Sequence, residues 1–157
     1  MKSFTVPTVQ QVTFKDVLER DGVLVYTTRG VSMRPLLRQG KDVVVIETPK
    51  EHCKKYDTVL FLRKNGQYVL HRILKELDGK YWIVGDNCLS GEMVSEKQII
   101  GVMTSLKRGG RSVKLTDWRY RLYVRLWCAP YRLRFFVLRG KWFIFGCLRF
   151  VKRRIFG

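Results

Sequence analysis

Long apolar runs are missing from this 157-residue chain: none approaches the ~18 residues a membrane-spanning helix needs, and the N-terminal Met1-Lys2-Ser3-Phe4-Thr5-Val6-Pro7 lacks the apolar stretch of a secretory signal. A span across the bilayer and export by an obvious route are therefore not expected. Cysteines are few and scattered: Cys53, Cys88, Cys128 and Cys147 form no Cys-x-x-Cys pair and have no His grouped beside them, which excludes a zinc site and suggests reduced thiols in a cytoplasmic chain. No internal repeat, low-complexity segment or linker interrupts the sequence. Acids are scarce as well, 13 Asp and Glu against 31 Lys and Arg.

The imbalance is not spread evenly. Residues 1–106 hold 16 basic and 12 acidic side chains, whereas residues 107–157 hold 15 basic and one acidic, a net +14. A tail of that charge seeks a polyanion, either nucleic acid or an anionic membrane surface. With 46% apolar residues, the chain has enough material for one core.

Local patterns divide the chain in two, a β domain over residues 1–116 and a helical tail over 117–157. Phe14 to Arg20 has the apolar spacing of a short amphipathic helix stopped by Asp21-Gly22. Strands are predicted at 24–28, 43–46, 58–62, 67–74, 81–84, 99–106 and 112–115, with turns at Lys64-Asn65-Gly66, Asp78-Gly79 and Arg108-Gly109-Gly110. Short strands and tight turns with little helix imply a mainly β fold, a coiled, barrel-like antiparallel sheet. In the tail, Tyr120, Tyr123, Val124, Trp127 and Tyr131 share one helical face, and Pro130 breaks or kinks that helix. A second stripe runs through Leu133, Phe136, Val137, Gly140, Ile144, Cys147, Leu148 and Val151, punctuated by Arg134, Arg139, Lys141, Arg149, Lys152, Arg153 and Arg154.

Three segments carry chemistry. Gly30-Val31-Ser32-Met33-Arg34-Pro35-Leu36-Leu37 places Gly before and Pro after a Ser, so the chain turns sharply and exposes a hydroxyl. Tyr68-Val69-Leu70-His71-Arg72-Ile73 carries a His on an alternating strand, and Val84-Gly85-Asp86-Asn87 supplies an acid, with Glu92 just beyond. Ser, His and a carboxylate are what hydroxyl activation requires. The rival reading is bland: a capping Ser, a satisfied strand His and solvated loop acids. His52, the second histidine, sits in a polar turn and is assigned to solvent.

Ser-Met-x-Pro-Leu, an apolar strand, His-Arg-Ile, Gly-Asp-Asn and Ile99-Ile100-Gly101-Val102, taken in order, resemble the signal-peptidase-like serine peptidases, a superfamily that also contains the self-cleaving SOS-type repressors. The likeness covers residues 30–106. It implies a serine endopeptidase acting on an extended peptide or precursor, with Ser32 as nucleophile and His71 as general base, as in the endoplasmic-reticulum and archaeal type. It implies an orienting acid six residues after Asp86, which is Glu92, with Asp86 bracing the turn or sharing the network. Typical signal peptidases carry a Ser oxyanion donor where this chain has Gly30; the repressor branch has Gly there, and the charge would fall to backbone N–H groups around Ser32 and Met33. No metal or organic cofactor is implied. Many relatives carry a membrane-spanning anchor, and here the basic aromatic tail at 118–157 would instead give peripheral contact with anionic membrane, packing on the domain and nucleic-acid binding being the other uses for it. A non-catalytic peptide- or membrane-binding module and a repressor-like regulator are the alternatives to the enzyme.

Overall fold

The computed structural model describes residues 12–155, with side chains as far as Ile144. The first helix, α1 (Phe14–Asp21), starts from a reciprocal cap: the Asp16 amide donates to the Thr13 hydroxyl at 3.2 Å and the Thr13 amide to the Asp16 carboxylate at 2.9 Å. It ends at Gly22 in the left-handed conformation. Eight strands follow: β1 (Val23–Thr27), β2 (Val43–Glu47), β3 (Thr58–Leu62), β4 (Tyr68–Leu77), β5 (Lys80–Val84), β6 (Gly91–Ser95), β7 (Ile99–Arg108) and β8 (Arg111–Lys114). All pair antiparallel in the order β1-β2-β7-β3-β4-β5-β6, with β8 alongside β7.

The mainly β, antiparallel expectation holds. The sheet does not close into a barrel: β1 and β6 lie at its two ends and do not pair. Strand β6 is an element that the sequence pattern does not predict. Only Val94 of its five residues is buried, so the segment has too little apolar alternation to announce itself.

On β3, alternation sends residues to both faces and both are covered, so Thr58 to Phe61 are all buried. One face contributes Leu60 to a cluster with Leu18, Leu24, Val44, Ile46 and Leu106. The other contributes Val59 and Phe61 to a cluster with Ile73, Tyr81, Ile83 and Val94. Full burial of each such side chain is worth about 1.5–3 kcal/mol before entropy is counted.

The tail is helical, as the periodicity predicts. Helix α2 (Trp118–Tyr123), capped by Asp117, widens into a π turn (Val124–Cys128), breaks at Ala129-Pro130 and resumes as α3 (Tyr131–Ile155). Among the described residues no helix is long and apolar enough to cross a membrane. The first apolar stripe, predicted to share one helical face, faces inward: Tyr120 is buried and Tyr123, Val124 and Trp127 are half-buried. The second is turned the other way. Leu133, Phe136, Val137 and Ile144 are exposed, and the face of α3 that meets the sheet is Tyr131, Arg134, Phe135 and Leu138. Tyr131 and Phe135 pack edge-on against Trp82 of β5, and Arg134, one of the charges that punctuate the second stripe, is buried against Asp86, which together set the phase of the helix. Cys147, Leu148, Val151 and the last four charges of the stripe lie beyond the described side chains.

The segment after the Ser turn is tied down by Asp42, whose side chain is fully buried. Its carboxylate accepts from the Arg38 amide at 3.0 Å and from the guanidinium groups of Arg38 and Arg108, each at 2.8 Å, while Arg108 also donates to the Leu36 carbonyl. Burial opposes ionisation, but the hydrogen bonds from Arg108 and Arg38 overcome it and hold the carboxyl down at about 2. A group depressed in the folded state stabilises above its unfolded pKa near ~3.9 and loses that contribution as pH falls through the folded value. Asp42→Asn is therefore expected to lose about 1–2 kcal/mol at neutral pH, the partners being partly solvated, and to lie close to the parent protein near pH 2. Urea unfolding at the two pH values measures the difference.

Candidate functional site

Ser32 lies in an irregular turn, half-buried, between the exposed Val31 and the buried Met33. Met33, Leu36 and Leu37 anchor the turn in the core, and the Leu37 amide donates to the Met33 carbonyl at 2.9 Å. Gly30 has φ +88°, a left-handed backbone that a Ser would occupy only under strain. The Ser donor of typical signal peptidases therefore does not fit this backbone. The amides of Ser32 and Met33 donate to no acceptor among the described residues, so two N–H groups stand beside the hydroxyl.

His71 reaches the same place from β4. It is buried, 9% exposed, opposite Val59 in the ladder. Ser32 and His71 line one groove of about 790 Å³ with Phe14, Tyr26, Met33 and Tyr68. Phe14 bridges the walls, its ring 5.1 Å from Tyr26 on β1 and 5.2 Å from Tyr68 on β4. The Ser32 hydroxyl and the imidazole are not hydrogen-bonded to each other. Catalytic hydrogen bonds are often long in the free state and tighten with substrate.

The Gly85-Asp86-Asn87 turn joins the two. The Asn87 amide donates to the Ser32 carbonyl at 2.7 Å, and its side-chain amide to the Val31 carbonyl at 3.2 Å. A Cβ on Gly85 would stand 2.8 Å from the Ser32 carbonyl oxygen, 2.9 Å from His71 Nε2 and 2.7 Å from Cys88 Sγ. Only glycine lets the turn, the Ser backbone and the imidazole approach so closely. Cys88, read from the sequence only as one of four scattered thiols, borders the site; burial pushes its thiol up.

Neither candidate acid touches the imidazole. Glu92, on β6, is held by Arg63 through both oxygens, at 2.8 and 2.5 Å. Its charge reaches His71 only through space, and Arg63 offsets it. Asp86 is fully buried on the opposite side. It accepts from Arg72 at 2.9 and 2.8 Å and from the Tyr123 hydroxyl at 2.8 Å, and its carbonyl accepts from the Trp127 indole at 3.1 Å. Strand alternation explains the division: His71 and Arg72 are consecutive on β4, so one faces the groove and the other the tail. Asp86 thus braces the turn, one of its two expected roles, and the orienting bond expected from Glu92 is absent. His71 is dominated by burial, which pushes it down to about 4.

His52 is exposed as expected, yet it binds Glu96 at 2.9 Å and Glu76 at 3.2 Å, beside a hollow separate from the groove. No group of three or more His, Cys, Asp or Glu among the described residues is arranged to hold a metal ion.

No protein-family model matches the chain, and no curated protein matches it.

Three substitutions separate the roles around Asp86. Gly85→Ala is expected to cost about 1–3 kcal/mol, because the Ser32 carbonyl it meets is backbone and cannot swing away. Asp86→Ala strands the buried Arg72 and Arg134 cations and is expected to cost about 3–5 kcal/mol. Arg134 has no hydrogen-bonded donor atom, and Arg134→Met should be neutral or stabilising. Denaturant unfolding of the three variants reads all of these.

Proposed function

We propose that the chain is a serine endopeptidase of the signal-peptidase-like kind, working through a Ser32-His71 dyad. The observation that carries it is that Ser32 and His71 line one groove and both abut Gly85. The Ser32 carbonyl oxygen and His71 Nε2 each lie within 2.9 Å of where a Gly85 Cβ would stand, and the Asn87 amide donates to the Ser32 carbonyl. A satisfied strand His has a hydrogen-bond partner; the His71 ring has none among the described residues.

The groove suits an extended peptide. Tyr26, Thr27 and Thr28 form one wall, and β1 ends the sheet, so that among the described residues no strand pairs with its outer edge, where a peptide would add. A peptide added there brings a carbonyl to Ser32. The neutral imidazole takes the hydroxyl proton as oxygen bonds to the carbonyl carbon, and the oxyanion is met by the free amides of Ser32 and Met33. The C–N bond then breaks, with His71 returning the proton to the leaving amine, and a water activated by the same imidazole hydrolyses the acyl-enzyme. Without a hydrogen-bonded carboxylate the imidazole is a weak base, and the dyad is expected to be slow.

A fluorophosphonate probe tests this. Labelling is expected at Ser32, lost in Ser32→Ala and slowed by about 10²–10⁴ in His71→Ala. Protonation removes the base, so the labelling rate should hold from neutral pH down to about pH 5 and fall with an apparent pKa of about 4. Glu92→Gln should slow it far less than His71→Ala, since Glu92 acts only through Arg63 and space. A folded protein that takes no label would make the groove a peptide-binding module, which the missing bond between Ser32 and His71 favours.

A further inference from the structure

The inward face of the tail is accounted for; its outward face is not. Taking 100° per residue, Tyr131, Arg134, Phe135 and Leu138 cluster on one side of α3, and Leu133, Phe136, Val137, Gly140 and Ile144 fall on the side opposite. Phe136 is 74% exposed and Phe143, at the edge of the stripe, 73%. Arg132 and Arg139, both exposed, lie along one flank between the two faces. Leu122 and Leu126 of the preceding helical segment are exposed as well.

We propose that this outward face of α3 docks in the plane of an anionic lipid bilayer, aromatic and aliphatic side chains entering the headgroup boundary and the flanking arginines meeting lipid phosphate. Charge complementarity selects the occupant. The segment carries a net +14 over residues 107–157, so a second copy of the chain would bring the same charge to the same face. Phosphate tracking along nucleic acid uses the arginines but gives no role to Leu133, Val137 and Ile144. A bilayer uses both: the apolar side chains are buried at the headgroup boundary and the cations are drawn to the anionic surface. The helix is too charged to cross, which leaves the in-plane geometry.

The test is co-sedimentation of the full chain with vesicles of phosphatidylcholine alone or mixed with phosphatidylglycerol. Binding is expected at least ~10-fold tighter to the mixed vesicles and weakened by salt. Phe136→Ser combined with Phe143→Ser should weaken it by a further ~10-fold or more with circular dichroism unchanged, since both side chains are exposed. Arg132→Gln with Arg139→Gln should reduce the preference for phosphatidylglycerol. Equal binding by the Phe variant, no binding to either vesicle, a dimer in light scattering that the Phe variant splits, or displacement from vesicles by stoichiometric RNA would each overturn the proposal.

Discussion

The buried pair of Arg72 and Asp86 is the contact on which the rest depends. Both side chains are wholly removed from water, so each is tolerable only because the other is there. Burial works against the Arg72 charge and the Asp86 carboxylate more than offsets it, so the guanidinium stays protonated. Arg72 also donates to the Tyr56 carbonyl and the Tyr120 hydroxyl, each at 2.8 Å, reaching the loop before β3 and the start of the tail at once. One carboxylate thereby fixes a strand, a turn and a helix.

That arrangement divides labour along β4 at the level of consecutive residues. His71 faces the groove and Arg72 faces the tail, and the Gly85-Asp86-Asn87 turn repeats the division. Gly85 and Asn87 touch the Ser32 backbone while Asp86 points away. A carboxylate adjacent in sequence to the groove residues is thus spent on structure. This is why the imidazole lacks an acid partner: Asp86 is committed to two guanidinium groups and a phenol, and Glu92 to Arg63.

Much of this was legible in the residues. The helix at 14–21, the Asn-Gly hairpin between β3 and β4 and the break at Pro130 follow from local chemistry that tertiary contacts do not override. Ser32 and His71 were found by residue type and come together in space. What sequence concealed was partnership. Periodicity shows that α3 has an apolar stripe but not which side faces the domain, because a single buried arginine and two rings on Trp82 decide the phase. Glu92 and Asp86 likewise look equivalent until Arg63 and Arg72 claim them. Charge partners separated by 29 and 14 residues leave no local signal.

The tail therefore has two faces with different obligations. Inward, Tyr120, Tyr123 and Trp127 enclose Asp86 in low dielectric, where a hydrogen bond to a charge is strong and its loss is costly. Outward, the helix presents apolar surface whose exposure no intramolecular contact relieves among the described side chains. A helix held on one side by a buried ion-pair network is a stiff support for whatever it meets on the other. The same network bonds Asp86, which sits between Gly85 and Asn87 in the turn, and Asn87 donates its amide N–H to the Ser32 carbonyl.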